Sequence, residues 1–304
     1  MLKGLDIADR PEPGHPMEIE PGLRRILARN PSPMTHWGTN TYLLGEDAVA
    51  VIDPGPDDPD HLAAILDAVG GGRVSHILVT HAHRDHSPLA RRLAAATGAP
   101  VLGFGPPVAG RTPVMEDLAR QGLIGGGEGV DHGFAPDVAL ADGAVIEGAD
   151  WRLTAIWTPG HFAGHLSFDW DGRVFSGDHV MGWASTLISP PDGDVTSFMA
   201  SCARLRALGA VRFHPGHGAP VEDPADRLDW LMRHRREREA QILAALGRTP
   251  LDLRTLARRI YHDAPSTLLP AAERNVLAHL VDLEARGLVR ALPRLGTRAR
   301  FVRN

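Results

Sequence analysis

Between Thr80 and Ser87 the chain reads Thr80-His81-Ala82-His83-Arg84-Asp85-His86-Ser87, with three imidazoles and one carboxylate inside six consecutive residues. The preceding His76-Ile77-Leu78-Val79-Thr80 is a short apolar run with the pattern of a buried strand. Alternation along extended chain puts His81 and His83 on one side, and the turn that follows lets Asp85 and His86 face the same space. Such a dense set of nitrogen and carboxylate donors suits a borderline cation such as zinc. The plain alternative is a polar loop with surface histidines.

More segments of the same kind weigh against that alternative. Thr158-Pro159-Gly160-His161, Ser176-Gly177-Asp178-His179 and Pro215-Gly216-His217-Gly218 each follow a strand-like run. Glycine beside the candidate ligand lets backbone approach a cation closely. Donors at the ends of several strands converge on one edge of a sheet, where α/β proteins place their sites. Alone, His161 or His217 reads as an ordinary turn histidine; together with the first motif they read as ligands. Cys202 falls on an apolar helix and reads as core packing rather than as a ligand.

The set HxHxDH, TPGH, SGDH and PGHG resembles the metallo-β-lactamase superfamily, in order, across residues 40 to 220. The resemblance is to the dinuclear zinc hydrolases of the glyoxalase II type and the phosphodiesterase branch. Lactamases of the commonest zinc type carry cysteine where Asp178 stands and lack His86, and flavodiiron proteins carry glutamate in place of His83. The resemblance implies an α/β fold, an αββα sandwich. It implies one metal held by His81, His83 and His161, a second held by Asp85, His86 and His217, and Asp178 bridging the two. Two Zn2+ ions are the implied cofactors, with iron or manganese fitting the same donors. The implied chemistry is hydrolysis by a metal-bridging hydroxide, with Asp85 as the catalytic carboxylate that orients it. No Ser or Cys nucleophile is needed.

A second resemblance covers nearly the whole chain. Asn30-Pro31-Ser32-Pro33, Gly38-Thr39-Asn40-Thr41-Tyr42-Leu43-Leu44-Gly45 and the stretch from His234 to Leu243 are similar to the lactamase-β-2-like group. In that group a small C-terminal winged helix follows the metal domain, and its best-known animal members are endoribonucleases acting on single-stranded RNA. The substrate implied is therefore a phosphodiester or a thioester or other ester. A mononuclear iron sulfur dioxygenase is a lesser alternative. A winged-helix nucleic-acid-binding regulator with a non-catalytic metal site is another, although a structural zinc site is normally closed by four ligands.

Supporting residues are harder to read. Asp53, ending the run Val49 to Ile52, is either a partner of the ligand imidazoles or a turn residue before Pro54. His165 and His179 sit beside ligands and read as supporting rather than coordinating. His36 and Trp37 read equally as pocket mouth or as plain loop.

Helical segments are expected at Leu62–Val69, at Leu89–Ala96 with Ser87 as N-cap and Pro88 in the first position, and at Val195–Leu208. Strands are expected at 145–146, 153–157, 166–168, 174–176 and 211–213. Residues 1 to about 20 read as a surface stretch, and 103–130 as a long loop with one short helix. Beyond about residue 230 come helices at Leu231–Leu246, Asp252–Tyr261 and Pro270–Arg286, then two short strands around Gly296. That is the outline of a winged helix. The expected division is a catalytic domain over 1–230 and a winged-helix-like domain over 231–304.

The 304 residues carry a formal charge of -5, which speaks against a general nucleic-acid binder. From Arg233 onward, however, 15 arginines and 7 acids give +8, leaving -13 for the remainder. The third helix of this part presents Glu273, Arg274, Asp282, Glu284 and Arg286, a mixed face rather than a basic stripe. A lid over the active site is favoured over a groove reader or a contact between two copies of the chain. Duplex DNA and membranes are thus not expected partners; a small molecule or single-stranded RNA is. The single cysteine and the lack of an apolar leader or spanning segment predict a cytoplasmic protein.

Overall fold

The computed structural model describes residues 10–304 apart from 264, 266 and 267. The first nine residues of the expected surface stretch, Lys3 among them, lie outside the described residues. Among the described residues one sheet has seven strands in chain order: β1 (Met17–Glu20), β2 (Leu23–Leu27), β3 (Asn40–Leu44), β4 (Ala48–Ile52), β5 (Arg73–Leu78), β6 (Val101–Gly103) and β7 (Val138–Ala139). A second sheet runs in the order β12 (Arg212–Pro215), β11 (Arg173–Gly177), β10 (Leu166–Trp170), β9 (Arg152–Trp157), β8 (Val145–Glu147).

Side-chain alternation builds the layers. In β4, Ala50 and Ile52 point into the space between the sheets, where they meet Leu153, Leu166, Phe168 and Phe175 of the second sheet. Val49 and Val51 point the other way, onto α1 (Pro59–Val69) and α2 (Ala90–Thr97) through Ile65, Val69 and Leu93. The outer face of the second sheet packs Val174 and Phe213 on α4 (Val195–Leu208) and the first part of α5 (Pro224–Ala245), through Phe198, Cys202, Leu205, Leu228 and Leu231. The order of layers is αββα.

Several local expectations are corrected. Ser87 does not cap α2: its hydroxyl donates to the His83 carbonyl at 3.2 Å and to Asp131 at 2.7 Å, and the helix starts at Ala90 after an intervening turn. Residues 17–20 lie at the surface, as expected, and form an edge strand paired with β2. β2 escapes a hydropathy reading because two arginines interrupt its apolar residues, yet Arg25 is buried and Arg24 donates to the Ala68 and Gly45 carbonyls. α5 begins at Pro224, not Leu231, because Asp223 accepts from the Asp226 N–H and Pro224 suits the first turn. Residue 230 therefore lies inside a continuous helix. Leu231 of α5 packs on the second sheet, and Ile242 packs in a separate C-terminal core.

That C-terminal core joins the end of α5 to α3 (Pro113–Arg120), α6 (Leu253–Ile260), α7 (Leu269–Ala285) and a small sheet ordered β13 (Leu251–Asp252), β15 (Arg300–Arg303), β14 (Val289–Leu292). It is the winged helix, with one departure from expectation. The mixed charged face of α7 is only partly open to solvent: Glu273, Arg274, Asp282 and Glu284 are half-buried, and Arg286, just past the helix, is exposed. Asp282 accepts from Thr196 on α4 at 2.6 Å, and Arg274 donates to the Ile124 carbonyl at 2.5 Å and to Ser189 at 3.2 Å. The helix is pressed against the catalytic half.

His279 on α7 is 1% exposed, and neither ring nitrogen has a hydrogen-bond partner. Burial, aided by Arg235, Arg238, His234 and Arg286, pushes its pKa down to about 3. The folded protein thus keeps His279 neutral over a range where the unfolded chain protonates it. Stability is full above the ordinary imidazole pKa and is lost as pH falls from there toward the folded value. Replacing His279 with Leu is expected to remove about 2 kcal/mol of the stability lost between pH 7 and pH 5. Urea unfolding at both pH values measures this, and an equal loss in variant and parent would refute it.

Candidate metal centre

The ligand-bearing segments leave the C-terminal ends of β5, β9, β11 and β12. In the second sheet β11 and β12 are parallel with Gly177 opposite Pro215, so Asp178 and His217 emerge side by side. The two residues are separated by Gly216, where a Cβ would lie 2.5 Å from Asp178 Oδ1 and 2.7 Å from His86 Cε1. Only glycine fits that approach.

All seven sequence-predicted ligands are brought together. The donor atoms of His81, His83, His161 and Asp178 lie within 4.8 Å of one another, and so do those of Asp85, His86, Asp178 and His217. Asp178 belongs to both clusters, each of which is able to bind a metal ion. His83 Nδ1 lies 3.0 Å from His81 Nε2 and 3.1 Å from His161 Nε2. Asp85 Oδ2 is 3.1 Å from His217 Nε2 and 3.3 Å from His86 Nε2. His86 Nε2, Asp85 Oδ1 and Asp178 Oδ1 are buried and make no hydrogen bond. Orphaned donors and acceptors converging in this way fit a cation.

The far nitrogen of several imidazoles is anchored, which fixes tautomer and ring direction. His161 Nδ1 donates to the Leu187 carbonyl at 2.8 Å, and His217 Nδ1 to the Gly38 carbonyl at 3.1 Å. His86 Nδ1 meets Asp53 Oδ2 at 2.9 Å. Asp53 also accepts from the Thr80 N–H and hydroxyl, both at 2.8 Å, and holds a left-handed φ of 50° to do so. Of the two readings open for Asp53, the structure puts it in contact with the His86 imidazole of the second cluster.

Electrostatics divide the clusters. Burial depresses His81 well below the ordinary imidazole range and His83 to about 3, and the neighbouring imidazoles add to it. Burial also opposes charge on His86 and His217, but there the carboxylates of Asp85 and Asp178 prevail. They hold His86 well above its usual value and raise His217 to about 10. Both carboxyls lie well below their ordinary range, because the imidazoles of His86 and His217 outweigh the cost of burial. The site is thus an electron-rich bowl that calls for positive charge at its centre.

His165 and His179 stand in neither cluster. His165 Nδ1 meets the Thr158 hydroxyl at 2.9 Å, and its ring centre is 5.2 Å from that of His81. His179 Nε2 faces Cys202 Sγ at 3.6 Å in the core under α4, and burial raises that thiol to about 12. His36 is stacked between Trp37 and Trp183, with ring centres 4.8 and 4.7 Å away. The sequence reading missed a clamp from β3: Asn40 Nδ2 donates to the Pro215 and Gly218 carbonyls at 3.0 and 2.9 Å, and Tyr42 to the Pro215 carbonyl at 2.7 Å. Its only sequence signal is the GTNTY segment, a polar-aromatic strand start with no turn function.

A cavity of about 140 Å³ opens over the clusters. Its walls are Pro33, Met34, Met181, Trp183, Ala184, Leu187, Leu268 and Ala271, with Gly127, Ser185, Asn275 and Glu128. Among the described residues no Arg or Lys lines it.

Comparison with known proteins matches this geometry. Residues 34–217 match the metallo-beta-lactamase superfamily, and residues 253–296 match the beta-lactamase associated winged helix domain. The chain is 32% identical over 283 residues to the beta-lactamase-like protein 2 homolog of Drosophila melanogaster, covering 88% of this chain and 89% of that one. It is 31% identical to the atrochrysone carboxyl ACP thioesterase of Aspergillus fumigatus, covering 78% of this chain and 69% of that one. A metallo-beta-lactamase family protein from Thermus thermophilus superposes with a TM-score of 0.76 at 26% identity, covering 94% of this chain and all of the other. A beta-lactamase domain protein from Burkholderia ambifaria shares the fold with a TM-score of 0.80 at 21% identity, covering 98% and 96%. With matched sequence over both halves and donors gathered as those motifs require, the chain belongs to the metallo-beta-lactamase superfamily.

Proposed function

We propose that this superfamily hydrolase holds two zinc ions and cleaves the thioester, or a related ester, of an apolar acyl group. The observation that carries the substrate class is the cavity wall. Apolar side chains face the clusters, Glu128 adds negative charge, and among the described residues no Arg or Lys lines the space. A nucleic-acid strand is usually held along its length by Lys or Arg against its phosphates. On α7, Asp282 and Arg274 are engaged with the catalytic half, which speaks against a nucleic-acid regulator using this helix. A relative that bears the name of a thioesterase lends support.

His81, His83, His161 and Asp178 hold one ion in this reading, and Asp85, His86, His217 and the shared Asp178 hold the other. When bound, the ions supply Lewis acidity, which lowers the pKa of water and stabilises negative charge on a carbonyl oxygen. Asp85 lines the cavity with Oδ1 unpartnered, so it accepts a hydrogen bond from the attacking water and directs a lone pair at the acyl carbon. Asp53 keeps His86 in register, and Leu187, Met181 and Trp183 exclude bulk water from the acyl chain. Water adds to the carbonyl, the carbon–sulfur bond breaks, and an acid and a thiol leave. The lone cysteine is buried and fits a reducing compartment, so we place the enzyme in the cytoplasm.

Metal analysis of the purified chain is expected to give about two ions per molecule, whereas the single-iron dioxygenase alternative requires one. Asp178→Ala strips a donor from both clusters and is expected to lose both ions together with activity. Retention of metal and turnover in that variant would remove the site as drawn. For the substrate, a medium-chain acyl thioester is expected to be hydrolysed at least about tenfold faster in kcat/KM than bis-p-nitrophenyl phosphate, since binding differences near 1.4 kcal/mol give that factor. The reverse order would overturn the acyl reading and restore the phosphodiester.

A further inference from the structure

Arg235, midway along α5, is 2% exposed, and among the described residues no carboxylate pairs with its guanidinium. Burial lowers its pKa to about 10. A cation buried without an acidic partner is costly, so where its donors go is informative. Nη2 donates to the Thr186 carbonyl, and Nη1 to Asn275 Oδ1 at 3.2 Å. The ring of Phe198 lies 5.3 Å from the guanidinium carbon. Of these contacts, Thr186 begins the segment 186–188, while Asn275 lies on α7 and Phe198 on α4.

That segment reaches the metal centre. The same Asn275 Oδ1 accepts from the Ile188 N–H at 3.3 Å. Ile188 N–H and the Leu187 carbonyl belong to one peptide unit, and that carbonyl accepts from His161 Nδ1 at 2.8 Å. The Thr186 hydroxyl meets the carbonyls of Asp178 and His179 at 3.0 and 2.9 Å. Arg235 anchors the Thr186 carbonyl of the preceding peptide, and the Leu187–Ile188 peptide cannot rotate without breaking its N–H bond to Asn275. Its carbonyl therefore stays aimed at His161.

We propose that Arg235 and Asn275 are positioning residues for His161. Through the Leu187–Ile188 peptide they fix its tautomer and the direction of Nε2 toward the cluster it shares with His81 and His83. The C-terminal half is then a working part of the metal centre. The idea rests on the metal reading of the site given above.

The test uses the full chain as Arg235→Met, which keeps the stem and removes the donors, as Asn275→Leu, and as Arg235→Lys. Zn2+ is titrated against a competing chelator, and the metal-free proteins are followed by hydrogen exchange. Partners of ligand imidazoles typically matter about 10- to 100-fold in metal affinity. One of the two equivalents is expected to weaken by about tenfold or more in the Met and Leu variants, with the other unchanged and partial recovery in Arg235→Lys. Exchange is expected to quicken across residues 183–192 but not across 81–86. Equal weakening of both equivalents with faster exchange at 81–86, or no change in either readout, would overturn the proposal. Should Arg235→Met fail to fold, the half-buried Asn275→Leu decides alone. A parent protein that binds fewer than two ions would sink the two-metal reading instead, and hydrogen exchange would still judge the positioning role.

Discussion

Two carboxylates, Asp85 and Asp178, are 4% and 6% exposed, and each keeps one oxygen without a partner. Burying charge in this way is tolerated only against opposite charge at close range. Much of the architecture around the site serves to supply it. His86 and His217 stand within 3.4 Å of an oxygen of each carboxylate, and His161 stands 3.7 Å from Asp178. Remove that requirement and there is no reason for five imidazoles to crowd one rim. Asp53 turns the requirement into geometry. By accepting from Thr80 and His86 together it locks the strand end to the ligand loop, at the cost of a left-handed backbone.

The sheets make the meeting point possible. Parallel pairing of β4 with β5, and of β11 with β12, sends the chain out of both sheets toward the same rim. The sheets face each other, so donors from the first and from the second arrive over one shared core. The Asn40 and Tyr42 bonds to the Pro215 and Gly218 carbonyls tie the sheets together at that rim. Packing between layers and chemistry at their edge are therefore parts of one arrangement.

How legible each part was depended on how local its cause is. Each ligand sits in a short segment with its own glycine and its own strand, so the motifs could be read without the fold. The αββα layers followed from resemblance together with alternation in strands such as β4. Asp53 stayed ambiguous because its three donors are 27 and 33 residues away. Leu187 was out of reach, since a backbone carbonyl leaves no mark in sequence. Arg235 was hidden by its neighbours, a run of arginines and glutamates that reads as a solvated helix. Yet Leu228, Leu231, Arg235 and Ile242 recur at helical spacing as the buried stripe of α5, so one arginine stood where an apolar residue was due. His279 carried the same mark within the apolar run of α7.

The C-terminal half shows why counting charge differs from finding a binding face. Its 15 arginines against 7 acids suggested a polyanion partner. Several of those arginines are already committed. Arg235 holds the 186–188 segment, Arg274 ties the 124 and 189 loops, and Arg286 pairs with Glu239 and Asp282 at 2.7 and 2.8 Å. The helix that a winged helix would offer to a groove has instead been laid on the catalytic domain, with Ala271 and Asn275 in the cavity wall. A groove reader must leave that helix free to enter nucleic acid. Here its freedom has been exchanged for a place in the cavity wall, and the same surface cannot serve both ends.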